Sequence, residues 1–303
     1  MTTERSRTAL PLAGTGALGR RLKRYGVNVV LVAPFAALIC YFLFYPILRV
    51  VELAFQDHAG HFTTANMTAI TKNPYRLAFS TSLKISLYST ILPGLIGLVL
   101  AYILSGIKNP VVSRLVLAGK GVLANFGGVN LVFIFVAAYG TTGYLTQWMG
   151  DLGWDPWNHG FNLFTFSGIV LIYCYFQVPL MVLIMTPALA ALRPQWREAA
   201  NILGANTFTY WRRIGLPVLT PALIGALTLL FGSAFSAYAT AEALTSGSIP
   251  IVPIFIGNFL DGNVVAGQEN VGYALGVGMM LILVLLAIVY AWAYRRSSKW
   301  LRS

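Results

Sequence analysis

Apolar residues are concentrated in six stretches of this chain, separated by polar segments. A hydrocarbon core about 30 Å thick needs roughly 20 apolar residues in an α-helix to cross it. The stretches occupy residues 27–48, 83–105, 119–139, 168–192, 222–245 and 271–294. Each is long enough to span a bilayer once. The pattern therefore predicts an all-α membrane protein with six transmembrane helices.

The polar segments differ sharply in their content of lysine and arginine. Seventeen of the 21 basic residues lie in the two terminal tails and in the connections after the second and fourth stretches. The segments 140–167 and 246–270 contain neither lysine nor arginine. Because basic residues are enriched in cytoplasmic loops, we predict that both termini face the cytoplasm, as does the loop between the fourth and fifth helices.

Composition agrees with a membrane protein and argues against other classes. Charged residues make up only 10% of the chain, against roughly 25% in soluble domains. The net charge of +12 is spread over four segments rather than gathered into one basic patch, so we expect no nucleic-acid partner. We find no nucleophile–base set, no carboxylate pair and no metal-ligand spacing, so we expect no catalytic residue and no metal site.

The polar segment at 192–221 contains recognisable helix boundaries. Pro194 suits the first turn of a helix, and Gly204 suits its C-terminal cap. Asn206 or Thr207 can then cap a second helix. We therefore expect a short helix on the cytoplasmic face before the chain re-enters the membrane. Small side chains along that helix would let a partner protein approach its backbone closely.

This segment also carries a motif with fixed spacing. Glu-Ala-Ala is followed after three residues by glycine, and after nine more by Ile-x-Leu-Pro. The residues are Glu198, Ala199, Ala200, Gly204, Ile214, Leu216 and Pro217. The motif resembles the EAA loop of bacterial ABC importer permeases. The resemblance implies that these residues couple the chain to an ATPase, with Ala199 and Ala200 facing a groove on that subunit.

The resemblance covers about residues 80–295 and implies the type I ABC importer permease fold. It divides the chain into a basic cytoplasmic tail at 1–26, a first transmembrane helix with an external loop at 27–82, a permease transmembrane domain at 83–294 with a cytoplasmic coupling loop at 193–217, and a second basic tail at 295–303. The segments 124–130 and 237–253 look closest to the branch that serves polyamines, thiamine, iron or phosphonates.

The same resemblance implies partners and a location. The expected partners are ABC ATPase subunits, a second permease subunit, an extracytoplasmic solute-binding protein and membrane lipid. The second permease is either another copy of this chain or a paralogue, and the resemblance favours a paralogue that forms a heterodimer. No Walker A loop occurs in the sequence, so we expect ATP and Mg²⁺ to bind the ATPase and no cofactor to bind this chain. The expected location is the bacterial inner membrane, with several spans.

Polar side chains within the apolar stretches are candidates for the solute pathway, because they are costly at membrane depth. Glu242 is the only acidic residue that the pattern places inside a span, and Tyr238 lies beside it. Asn125 and Asn130 lie in the third stretch. The alternative roles are hydrogen bonds between helices or, for Glu242, contact with the outer interface.

Three classes of function remain open from the sequence. The first is an ABC importer permease for a polyamine or another small polar solute, with a sugar-importing permease of the same family as the alternative. The second is a secondary transporter or channel that works alone, in which case the motif at 198–217 would be accidental. The third is a membrane-embedded enzyme, which would need catalytic residues that we do not find.

Overall fold

The computed structural model describes residues 15–57, 59–107, 119, 127–260 and 268–297. These residues are almost entirely helical. The only extended pairing among them is an isolated bridge between Gln56 and Phe62, and no β-strand forms within the described ranges. The expectation of an all-α protein is therefore confirmed.

The helices follow one another along the chain with short connections. They are α1 (Thr15–Ala54), α2 (Ala65–Ala69), α3 (Tyr75–Ser105), α4 (Val129–Tyr139), α5 (Tyr144–Asp151), α6 (Phe166–Ala190), α7 (Pro194–Ile202), α8 (Thr207–Tyr210), α9 (Leu216–Ser236), α10 (Ala239–Thr245), α11 (Val252–Leu260) and α12 (Glu269–Ser297). A 3₁₀ turn occupies Trp157–His159, and a π-helical turn, Trp211–Gly215, joins α8 to α9.

Six segments of this helical chain are long and apolar enough to cross a membrane. They are Val32–Ala54, Tyr75–Ser105, Val129–Asp151, Phe166–Ala190, Thr207–Ser236 and Glu269–Arg296. Each overlaps one of the six stretches predicted from hydropathy. The number and order of the spans are therefore confirmed.

Three spans differ most from the bounds that hydropathy suggested. The third begins at Val129 rather than near residue 119, because residues 127 and 128 are not helical. Helix α3 begins at Tyr75 rather than near residue 83, and its 31 residues extend about 46 Å, more than a hydrocarbon core requires. Helix α9 begins at Leu216 rather than near residue 222. A proline is tolerated in the first turn of a helix, where its nitrogen needs no hydrogen-bond partner. Pro217 occupies that first turn.

The fifth span is interrupted near its end. Helix α9 stops at Ser236, Ala237 adopts an extended conformation, and α10 resumes at Ala239. The phenol of Tyr173 in α6 donates a hydrogen bond of 3.2 Å to the carbonyl of Ala237. The freed carbonyl therefore has a partner, as backbone groups away from water require.

Helices α3 and α6 form the central pair of the core, and α9 packs against both. A Cβ atom on Gly97 of α3 would lie 2.6 Å from the Cβ of Met181, and one on Gly94 would lie 2.8 Å from Leu227 of α9. Small residues at these points let the helix backbones approach closely, as is common in membrane bundles. Large buried side chains such as Met185 and Leu230 belong to the same core cluster as Met181.

The chain divides into two compact units, residues 1–52 and 53–303. The described part of the first unit is a single apolar helix with large exposed side chains, among them Phe35, Phe42 and Leu48. In the second unit, exposed aliphatic side chains run along α3 and α12. Such extended apolar surfaces are suited to contact with lipid or with other membrane helices.

Candidate coupling loop and solute pathway

The short helix predicted after the fourth span is α7. Pro194 lies in its first turn, and the helix ends at Ile202, with Leu203 as its C-cap. Gly204 follows with φ of 77°, and the N–H of Ala205 donates a 2.9 Å hydrogen bond to the carbonyl of Ala200. A left-handed glycine with this backward bond is a common helix terminator. The predicted role of Gly204 at the end of the helix is confirmed.

The second short helix begins where the sequence indicated. The Asn206 side chain accepts a 2.8 Å hydrogen bond from the N–H of Thr209, so Asn206 is the N-cap of α8. The chain then passes through the π-helical turn. A Cβ atom on Gly215 in this turn would lie 2.5 Å from the Trp211 ring. Helix α8 and this turn therefore lead directly into α9 without a loop.

Large apolar side chains are exposed around the end of α7. Ile202 is 87% exposed, Leu203 86% and Phe208 72%. Glu198 and Ala199 are also exposed on α7. Isolated exposed apolar residues are ordinary, but three neighbouring large ones mark a surface suited to contact with another molecule. We call Ile202, Leu203 and Phe208 the apolar tip.

The two alanines of the motif do not share a surface. Ala199 is exposed, whereas Ala200 is only 5% exposed. Ala200 lines a cavity of about 400 Å³ together with Tyr210 and Ile214 of the following turns. Successive helical residues point about 100° apart, so a helix that packs one of them inward turns the next outward. Ala200 therefore packs against its own chain, and its contact with a partner stays a prediction.

The remaining motif residues lie where the chain re-enters the span. Ile214 is half-buried in the π-helical turn, while Leu216 and Pro217 are exposed in the first turn of α9. The motif thus has an outer part on α7 and an inner part that forms the start of the fifth span.

The predicted pathway residues lie on two elements that are joined by one hydrogen bond. The N–H of Gly128 donates to Oγ1 of Thr240 at 3.2 Å. Asn130 lies two residues after the donor in α4, and Tyr238 and Glu242 lie two residues either side of the acceptor. Asn125 falls outside the described residues. The structure therefore brings together the elements that carry Asn130, Tyr238 and Glu242.

Glu242 has an unsatisfied oxygen. The side chain is partly buried, and its enclosed Oε2 atom has no hydrogen-bond partner among the residues that the structure describes. No ion pair within the described residues involves Glu242. Enclosing a carboxylate oxygen without a partner is costly. Glu242 is therefore suited to accept a hydrogen bond or a positive charge from a molecule other than this chain.

Gln177 is a buried polar residue that hydropathy alone did not reveal. It lies in α6, is 0% exposed, and neither atom of its amide group has a hydrogen-bond partner. The Oγ atom of Ser89 in α3 is likewise buried and unpartnered. The neighbours of Gln177 in the sequence are apolar, so the mean hydropathy of the stretch stays high despite this one polar residue. A lone amide in such a stretch is nevertheless a usable signal, because polar groups are rare at membrane depth.

Metal-ligating side chains are scattered in the described part of the chain. No group of three or more His, Cys, Asp or Glu side chains comes together there. Cys40 is exposed and Cys174 half-buried, and both are free thiols. The candidate sites are therefore the coupling loop and the junction between α4 and α10.

Comparison with known proteins gives concordant matches. Residues 95–303 match the family described as "Binding-protein-dependent transport system inner membrane component". A probable sulfate transport system permease of Nephroselmis olivacea is 25% identical over 269 residues, covering 86% of this chain and 87% of the relative. A spermidine/putrescine transport system permease of Haemophilus influenzae is 26% identical, covering 82% of this chain and 88% of the relative.

A solved structure shares the fold over nearly its whole length. It is the crystal structure of a bacterial ABC transporter involved in the import of the acidic polysaccharide alginate, with a TM-score of 0.69. The match covers 93% of this chain and 99% of the other, at 16% identity. At that identity the likeness concerns the arrangement of helices alone.

Proposed function

The chain belongs to the family of binding-protein-dependent transport system inner membrane components, and from this premise we propose that it forms the translocation pathway of an importer and couples that pathway to a separate ATPase. A permease of this family is a channel-forming, multi-pass membrane subunit and not an enzyme. The coupling proposal rests on the exposure of the apolar tip, whose three residues lie between Glu198 and Pro217 of the motif.

The coupling proposal rests on the shape and exposure of the loop. Helix α7 is short, is closed by Gly204, and is followed immediately by α8 and the start of the fifth span. A force applied to the apolar tip would therefore reach α9 through a few rigid turns. Glu198, Ala199, Ile202 and Leu203 are the residues we expect to contact the ATPase. Ala200 and Gly204 would hold the loop in shape from within.

The assembly that we propose contains other chains. The family depends on a binding protein, so an extracytoplasmic solute-binding protein delivers the solute. We further propose ATPase subunits that bind ATP and Mg²⁺, and a second permease subunit that is a paralogue of this chain. The exposed aliphatic faces of α3 and α12 provide surfaces for that subunit and for lipid. The proposed location is a bacterial inner membrane.

For the solute we favour a polyamine or another small polar cation. The relatives with whole-length matches are named for sulfate and for spermidine/putrescine, so the sequence match does not decide between an anion and a cation. Glu242 favours the cation, because an enclosed carboxylate repels an anion and attracts a positive charge. Segments 140–167 and 246–270 contain four acidic residues and no basic ones, which strengthens the same preference.

Co-purification tests the proposed function. The tagged chain should bring down an ATPase with a Walker A loop, and addition of the solute-loaded binding protein should stimulate ATP hydrolysis by the complex. Mass spectrometry of the solute released from that binding protein would then identify its charge. Purification of the chain with no ATPase, together with transport that is independent of ATP, would support a secondary transporter instead. An anionic solute would overturn the substrate assignment alone.

A further inference from the structure

A second cavity lies beside the coupling loop, separate from the cavity that Ala200 lines. The residues of the apolar tip do not line it. It occupies about 450 Å³ between the last turn of α3, the last turn of α6 and the first turn of α7. Its polar lining comes from Tyr102, Ser105, Thr186, Arg193, Arg197 and Tyr210. The cavity therefore opens where two membrane-spanning helices end.

The lining of this cavity carries positive charge without compensation. Arg193 and Arg197 both line it, and none of the described residues that line it is acidic. Neither guanidinium group takes part in an ion pair or hydrogen bond anywhere in the described part of the chain. The carbonyls of Pro187, Ala188 and Leu189 at the end of α6 already accept backbone N–H groups. The two arginines are thus available to bind an anion from outside the chain.

The surroundings of the cavity indicate the depth of the membrane surface. The rings of Tyr102 and Trp211 meet edge to face at its wall, with centroids 5.4 Å apart. Tyrosine and tryptophan are enriched at the level of the lipid headgroups. Val99 and Ile103, apolar residues on the same helix as Tyr102, are more than half exposed. An anion in the cavity would therefore lie at headgroup depth, beside a surface that suits acyl chains.

We propose that this cavity binds the phosphate of an anionic phospholipid, with Arg193 and Arg197 as its ligands and the acyl chains lying along Val99 and Ile103. Guanidinium groups hold phosphate oxygens through paired, charge-assisted hydrogen bonds. Basic pockets between membrane helices are suited to such headgroups. Inorganic phosphate offers the same oxygens, but it leaves the exposed aliphatic surface uncovered, so we assign the site to lipid. The proposal does not depend on the transported solute.

Native mass spectrometry of the purified complex tests this site. The complex is taken from vesicles of phosphatidylglycerol mixed equally with phosphatidylcholine, and the retained lipids are counted. We expect preferential retention of phosphatidylglycerol, and an approximately tenfold weaker preference in the Arg193→Gln/Arg197→Gln double variant, since each arginine near a membrane surface contributes to attraction of anionic lipid. Arg212→Gln is the matched control, because Arg212 is an exposed arginine of the same loop that does not line the cavity.

Three results would overturn the proposal. The first is equal retention of the two lipids by the unaltered complex. This result can be measured even if no variant folds. Another is full retention by the double variant. The third is displacement of phosphatidylglycerol by millimolar inorganic phosphate, which would make the cavity a site for small anions. If the double variant fails to assemble, Arg193→Lys/Arg197→Lys keeps the charge but removes the paired geometry, and we expect it to retain less phosphatidylglycerol than the Arg212→Gln control.

Discussion

The N–H of Gly128 donates a hydrogen bond to Oγ1 of Thr240, and this bond joins the start of α4 to the start of α10. Gly128 has φ of 75°, a conformation that favours glycine, and Thr240 is buried. Gly128 lies immediately before α4, and Thr240 lies in α10, just after the extended residue Ala237. Irregular backbone in a membrane protein is tolerated where it is buried or lines a cavity. The contact therefore marks the part of the chain where we place the solute pathway.

Thr240→Val tests whether this contact holds the two helices together. Valine keeps the shape of threonine but removes the acceptor, so the Gly128 N–H loses its partner. We expect a loss of about 1 kcal/mol in stability, measured as a lower thermal unfolding midpoint of the purified complex. Thr228→Val is the control, because Thr228 Oγ1 donates only to the carbonyl of Ile224 in its own helix. Equal effects of the two substitutions would contradict a special role for the Gly128–Thr240 contact.

Glu242→Gln tests the pathway directly. The substitution keeps the size of the side chain and removes its charge, so a cationic solute loses attraction while packing is conserved. We expect uptake to fall several-fold while assembly and basal ATP hydrolysis stay near normal. Glu52→Gln is a suitable control, since Glu52 is an exposed acid of α1 that lies outside the two acidic segments. Loss of the assembled complex would indicate a structural role for Glu242, and unchanged uptake would remove it from the pathway.

Orientation in the membrane remains a prediction from the distribution of basic residues. In a background without Cys40 and Cys174, we place single cysteines at Leu203 and at Phe62, which are 86% and 78% exposed. We expect an impermeant thiol reagent to label position 62 in intact cells and position 203 only after permeabilisation. The two positions have similar exposure, so a difference in labelling reports their side of the membrane. Labelling of position 203 in intact cells would reverse the topology.

The sequence predicted the spans and the caps of the coupling loop because both depend on local chemistry. Continuous apolar stretches reveal membrane helices, and Gly204 and Asn206 terminate and start helices through their own backbone and side-chain bonds. The break at Ala237 could not be predicted in this way, since its carbonyl is satisfied by Tyr173 from a distant part of the sequence.

The sequence pattern also could not predict which residues of the candidate sites are buried. Ala199 and Ala200 are identical in the sequence, yet only tertiary packing against the turns around Tyr210 determines which of them is buried. Gln177 shows the converse problem, because an average over a hydrophobic stretch hides one polar group whose environment is set by neighbouring helices. Residues whose role depends on which helix lies opposite them therefore require the folded structure.

The apolar tip gives the sharpest test of coupling. Ile202 and Leu203 are almost fully exposed and contribute little to the folded chain, so replacing them with aspartate should leave folding and membrane insertion intact. A charge at the centre of a protein interface is desolvated without a partner, which weakens binding strongly. We expect Ile202→Asp/Leu203→Asp to lose co-purification with the ATPase by at least about tenfold, since burying one unpaired charge costs several kcal/mol.

Two further variants distinguish loss of contact with the ATPase from a change in the conformation of the loop. Phe62→Asp introduces one such charge at a similarly exposed apolar residue in a distant part of the sequence, and we expect it to leave ATPase binding unchanged. Gly204→Val places a β-branched residue at φ of 77°, which costs on the order of 1 kcal/mol or more, although no atom lies within 4 Å of the added Cβ. This variant should keep the apolar tip but misdirect it, giving weaker stimulation of ATP hydrolysis by the loaded binding protein. If the double aspartate and Gly204→Val variants both retain ATPase binding and stimulated hydrolysis, the loop at 193–217 does not couple the permease to its ATPase.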